Sequence, residues 1–312
     1  MGNTLNRRSF LKRTSAALTA FTAAAGRLAD AEARKDYVDI HTHLGMEWGN
    51  RPALTVDELL RWMDRHEVAQ ACVLPLINPE SWDHPIPTGY VLEQTAPHRD
   101  RLIPFCSIDP RTLNLNSQQK RDLFRRYRDA GAKGFGEHKP GVPIDDARNL
   151  ELFHAAAEAG LPTLFHLDNN RNMDKPGLPG LENVLRQVPD GVFIGHAQGW
   201  WASISGDVTQ ADMQRYPDTK VAPGGALDRL MNAYPNIHGD LSAGSGANAV
   251  MRDIDFGREF VIRRADRLLF GTDFLAPGQN VPQFKLYDEM DLPGDVRNKV
   301  FRGNARRILG LM

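Results

Sequence analysis

The stretch Asp39-Ile40-His41-Thr42-His43-Leu44-Gly45 ends an apolar run in two histidines one residue apart. Tyr37-Val38-Asp39-Ile40 in front of it reads as a short β-strand. Successive strand side chains point to opposite faces, so His41 and His43 share one, about 6.6 Å apart at ~3.3 Å per residue. Two imidazoles so spaced can lean toward one ion. They can equally be packed with no ligand, so the reading rests on what the other strand ends carry.

Strand-like and helix-like segments alternate outward from this point. Apolar runs at 71–76, 102–108, 132–138, 162–167, 192–196, 237–241 and 267–272 read as further strands. Helical patterns fall at 55–65, 88–95, 117–130, 145–158, 181–187, 225–233 and 247–264, with closing helices at 282–290 and 296–309. Thr55-Val56-Asp57-Glu58 has capping-box form at the first helix. Alternation of this kind builds a parallel sheet, and eight repeats close most simply as a (β/α)8 TIM barrel, an α/β fold. An open doubly wound sheet is the competing architecture. Its Gly-x-Gly-x-x-Gly turn is missing after the first strand, and Gly244 to Gly246 reads as a loop after the seventh. The longest irregular stretch, 198–224, belongs on the site face of a barrel.

Composition adds limits. The chain has 312 residues, 41% hydrophobic and 25% charged, with a net charge of −1. That is ordinary globular composition, and no basic surface for nucleic acid is legible. Residues 32–312 contain no Pro-, Ser- or Gly-rich linker and read as a single domain. Cys72 and Cys106 lie inside apolar runs and read as buried free thiols.

The N-terminus is separate. Asn6-Arg7-Arg8-Ser9-Phe10-Leu11-Lys12 precedes an alanine-rich run from Ala16 to Ala25, and Ala29-Asp30-Ala31 offers a small-x-small cleavage pattern. Residues 1–31 resemble a bacterial twin-arginine export signal. The resemblance implies the twin-arginine export machinery as a partner, a periplasmic or secreted protein, and a cofactor taken up before export.

Catalytic residues of a barrel collect at the C-terminal ends of its strands. Here those ends carry His41 and His43, Glu137-His138-Lys139, His166 and Asp168, His196, Asp240 and Ser242, and Asp273. His41, His43, His166, His196 and Asp273, with Glu137, form a nitrogen and oxygen set suited to Zn2+, or to Mn2+ or Fe2+.

"DIHTHLG", "LFHLD", "FIGHAQG", "LLFGTDF" and the closing "VFRGNARRILGL" resemble the amidohydrolase superfamily, in its amidohydrolase-related branch. The resemblance covers residues 36–312. It implies that His41, His43, His166, His196 and Asp273 carry the site, with one or two divalent ions. Binuclear members place a bridging carbamylated lysine or a glutamate on strand four, and mononuclear members need neither. By alternation Glu137 and Lys139 share a face while His138 points away. Glu137 is the favoured ligand, with Lys139 as the alternative or as a contact to a substrate anion.

The implied chemistry is metal-dependent hydrolysis of an amide, ester or lactone. Asp273 moves the proton, and His196 orients water or substrate if the site is mononuclear. Members of this branch also decarboxylate aromatic or enol acids, which is the alternative. Trp200 and Trp201 on the long loop, Trp48, and Asn169, Asn170 and Arg171 after strand five suggest an aromatic and polar wall for a small ring-shaped substrate. Trp200, Trp201, Lys139 and Arg171 are thus the expected substrate contacts. A homo-oligomer is compatible with the sequence.

Overall fold

The computed structural model describes residues 37–112 and 114–311. The twin-arginine reading of residues 1–31 lies outside them.

Eight strands follow one another in sequence order around a single parallel sheet. They are Tyr37–Thr42 (β1), Val68–Val73 (β2), Leu102–Cys106 (β3), Gly134–His138 (β4), Thr163–His166 (β5), Phe193–His196 (β6), Ile237–Asp240 (β7) and Leu268–Leu269 (β8). The last returns to the first: Ile40 N donates to Phe270 O at 2.9 Å, and Asp273 N to His41 O at 2.8 Å. The sheet is a (β/α)8 barrel.

Alternation along the strands divides the core in two. Val38, Ile40, Cys72, Ile103, Leu164 and Ile194 fill the barrel interior. Phe135, Phe165, Phe193 and Phe270 face outward into the layer under the helices. Ala305 and Leu309 of the closing helix Asn304–Leu309 join the interior cluster. Asn304 Nδ2 fixes that helix to Ala265 O and Leu268 O at the start of β8, so it plugs the end opposite the site.

The helix signals act as local physics requires. Thr55 caps Val56–Arg65 by accepting from Glu58 N, while Glu58 Oε2 accepts from Thr55 N at 3.1 Å. Leu59, Trp62 and Met63 are the buried face of that helix.

Three expectations change. Strand two starts at Val68, because Val68 and the polar Gln70 extend the pairing with Tyr37 and Val38 of β1. The helix expected over 247–264 is two, Ala243–Met251 and Ile254–Arg263. Gly257 explains the tight packing of the pair: a Cβ there would stand 2.2 Å from Val250 O. Gly244 to Gly246 belong to the first of these helices and not to a loop. A side chain at Gly246 would strike Leu241 O at 2.4 Å, so small residues let the helix start directly on the end of β7. Cys72 and Cys106 are buried and free.

Candidate metal centre

The strand ends converge on a cavity of about 320 Å3, lined by His43, Glu137, Lys139, His166, His196 and Asp273 among others. His41 lies directly beneath, fully buried.

Outward hydrogen bonds decide which nitrogen each imidazole presents. His43 Nδ1 donates to Leu74 O at 2.8 Å. His41 Nδ1 donates to Asp240 Oδ2 at 2.7 Å. His196 Nδ1 lies 3.1 Å from the same oxygen and 3.0 Å from Ser242 Oγ. Each ring therefore turns an Nε2 lone pair toward the centre, a tautomer assigned by its partner. His41 Nε2 and His43 Nε2 stand 3.1 Å apart. Glu137 Oε2 lies 3.7 and 3.5 Å from them, and Asp273 Oδ1 3.5 and 3.4 Å. Ligands ~2.1 Å from one ion in tetrahedral array are ~3.4 Å apart. Lone pairs and carboxylate oxygens at this spacing repel one another unless a positive charge lies between them, so the donor set fits a divalent cation.

The electrostatics agree. Burial raises all four site carboxyls, yet each is held below the usual range by its partners. Lys139 and His166 do this for Glu137, His166 for Asp168, His196 and His41 for Asp240, and His41 and His43 for Asp273. Lys139 and Arg171 supply two positive charges against these four, so the carboxylates outnumber the lysine and arginine cations at the site. Burial pushes His41 down, but Asp273, Asp240 and Glu137 reverse it and hold the imidazole well above its usual value. The centre thus favours positive charge at His41 Nε2.

Other expected residues divide. His166 lies on the cavity wall, with Nδ1 2.7 Å from Glu137 Oε1 and Nε2 2.9 Å from Asp168 Oδ2. Lys139 Nζ is 3.3 Å from Glu137 Oε2, and Arg171 Nη1 donates to Asp168 Oδ2 at 3.0 Å. His138 points away as alternation requires, with Nε2 2.9 Å from Asn149 Oδ1.

Trp200 and Trp201 are not at the mouth. Both are buried in the short helix Gln198–Ala202. Trp200 packs on Gly195, where a Cβ would meet its ring at 2.4 Å, and Trp201 Nε1 donates to Asp240 O at 2.8 Å. The helical turn after His196 folds both indoles back onto the barrel, where they support β6 and β7. Trp48 does line the cavity, edge-on to His84 with ring centroids 4.2 Å apart.

Asp168, Asp240 and Ser242 were visible at strand ends but had no assigned role. Asp240 Oδ2 alone serves His41, His196 and Ser242 Oγ. A second set was illegible. Arg111 holds Glu80 with two bonds of 2.7 Å and Asp109 with bonds of 3.0 and 2.8 Å. Asn78 Nδ2 donates to Asp109 Oδ2 at 2.7 Å, and Asn78 Oδ1 accepts from Lys139 N at 3.0 Å. This network ties the segment after β2 to the ends of β3 and β4.

The fold is shared with solved enzymes. A 2,6-dihydroxybenzoate decarboxylase from Rhizobium is 18% identical with a TM-score of 0.57, covering 88% of this chain and 98% of that one. A dihydroxybenzoic acid decarboxylase from Polaromonas with bound manganese is 15% identical, TM-score 0.55, over 88% and 97%. A protein from Pseudomonas putida named as a 2-pyrone-4,6-dicarboxylic acid hydrolase is 13% identical, TM-score 0.60, over 88% and 98%. At these identities the likeness is one of fold. No curated protein matches the sequence. The amidohydrolase family model matches residues 38–311, from the first strand to the closing helix. With that match spanning nearly the whole described chain, the protein belongs to the amidohydrolase family.

Proposed function

We propose that this protein is a metal-dependent hydrolase acting on an amide, ester or lactone of a small polar substrate. The observation that carries the reading is the pair of Nε2 lone pairs of His41 and His43, 3.1 Å apart and flanked by Glu137 and Asp273. The nitrogen and oxygen donor set suits Zn2+, with Mn2+ or Fe2+ as alternatives.

A bound ion of this kind supplies a water of lowered pKa and polarises a carbonyl oxygen. The chain's own residues do the rest. Asp273 is the acid of the cluster that reaches the cavity with part of its side chain exposed. It takes the proton from the attacking water and returns it to the leaving group. His196 presents Nε2 to the cavity, with Nδ1 held by Asp240 and Ser242, and accepts a hydrogen bond from the water or a substrate hydroxyl. Lys139 and Arg171 on the wall orient a polar or anionic substrate.

Those two cations also favour a second reading, decarboxylation of a small acid whose carboxylate they would hold. Reaction in 18O-labelled water separates the two. Hydrolysis places one 18O in the organic acid product, whereas a lyase releases CO2 and leaves its organic product unlabelled. Metal-replete protein inert toward esters, lactones, amides and aromatic acids would overturn the enzyme reading. We further propose export by the twin-arginine route; Arg7→Lys with Arg8→Lys should then retain the protein in the cytoplasm.

A further inference from the structure

The helix Ala243–Met251 starts at the cavity with its first amides uncapped. Ser242 in front of it is of the type that caps, by accepting from an amide two or three residues on. Its side chain makes no such bond. The hydroxyl is diverted below the helix, 2.8 Å from Asp240 Oδ2 and 3.0 Å from His196 Nδ1. Gly244 N and Ser245 N are left with no acceptor among the described residues. Ala243 and Ser245 line the cavity.

Ser245 is an independent sign of a ligand. It is 2% exposed, and its hydroxyl is buried with no hydrogen-bond partner. Donation to the carbonyl four residues back is the usual outlet for a serine in a helix, and Ser245 does not use it. A buried hydroxyl left unpaired destabilises the fold, so a group that accepts from it is favoured there. Tyr216, in the long segment after β6, lines the cavity beside it. A Cβ at Gly244 would stand 3.0 Å from Tyr216 Cε2 and 3.1 Å from its Oη. Glycine lets the phenol lie this close, which brings its hydroxyl to the same turn.

Resting on the metal-dependent reading above, we propose that this turn is an anion subsite for the substrate. Gly244 N, Ser245 N, Ser245 Oγ and Tyr216 Oη donate to a carboxylate or comparable oxygen anion of the molecule that is cleaved. The amides carry the positive end of the helix dipole, and helix N-termini bind anions in this way. Asp273 lines the same cavity, so an anion at the turn is favoured once a divalent ion offsets that carboxylate. The subsite is separate from Lys139 and Arg171, which stand after β4 and β5. A substrate held by both walls carries an anionic group on the β7 side of the bond that breaks and a second polar group on the other.

Crystals of the Zn2+-loaded protein soaked in bromide test this, because bromide is a small anion located by its anomalous signal. The wild type should show a bromide within hydrogen-bond reach of Gly244 N, Ser245 N and Ser245 Oγ. Ser245→Asp, whose carboxylate suits the first turn of a helix, should fold and show none there. Ser245→Ala and Tyr216→Phe should each need about 10-fold more bromide for the same occupancy. Zn2+-loaded wild type without a peak at the turn would overturn this proposal alone. So would a peak undiminished in Ser245→Asp, which would mark an adventitious ion only, or one undiminished in both Ser245→Ala and Tyr216→Phe. Failure of the wild type to hold Zn2+ would overturn the metal-dependent reading and this proposal with it. The wild-type map and Tyr216→Phe decide the matter if a Ser245 variant fails to fold.

Discussion

His41 Nε2 and His43 Nε2 face each other at 3.1 Å, and the hydrogen of each ring is committed to the opposite nitrogen, toward Asp240 and Leu74 O. Two ring nitrogens facing at this distance need a positive charge between them, a proton or a metal ion. His41→Ala should therefore abolish stoichiometric metal binding and activity together. Asp273→Asn keeps an oxygen at the centre but cannot accept a proton, so it should retain metal and lose turnover by about 100-fold or more. Metal analysis beside product formation checks both; full turnover in Asp273→Asn would end the proton-shuttle role.

Asp240 does not itself line the cavity, yet one of its oxygens receives His41, His196 and Ser242. Asp240→Asn would turn an N–H toward one of these donors and release the tautomers that aim two Nε2 atoms inward. Metal affinity should fall about 10- to 100-fold. Competition with a chelating dye measures it.

Arg111 joins Glu80, Asp109 and, through Asn78, the backbone of Lys139. Arg111→Met leaves the partly buried carboxylate of Glu80 and the buried one of Asp109 without their counter-charge. The cost should be about 2 kcal/mol, below that of a fully buried pair. Hydrogen exchange should accelerate in residues 77–87 and at Lys139 before it does so elsewhere in the barrel.

His238, buried within β7, is pushed down to about 3 by burial and by Arg267 and Arg307 nearby. In the unfolded chain a histidine titrates near ~6.5. Between these values the unfolded state binds the extra proton, so stability present above about pH 6.5 is lost as pH falls toward 3. The slope is at most about 1.4 kcal/mol per pH unit for this group. His238→Leu should flatten the loss of stability in urea titrations between pH 7.5 and 5; an unchanged profile would remove His238 as its source.

The barrel was readable because its signals are local. Thr55 and Glu58 cap a helix through atoms three residues apart, and strand alternation placed Glu137 and Lys139 on one face with His138 on the other. Where reading failed, a long-range contact overrode the local pattern. Trp200 and Trp201 look like loop aromatics, yet a short helix folds them onto Gly195 and Asp240. Gly244 to Gly246 look like a turn, yet close packing on Leu241 draws them into a helix.

The sequence by itself determined the eightfold alternation and which side chains stand at the strand ends, because both follow from periods of a few residues. Only the tertiary structure decided what those side chains do. It paired His41 with Asp240, 199 positions away, and occupied both nitrogens of His166 with carboxylates. Hydrogen-bond partners select an imidazole's free nitrogen, and residues distant in the chain become partners only when the barrel closes.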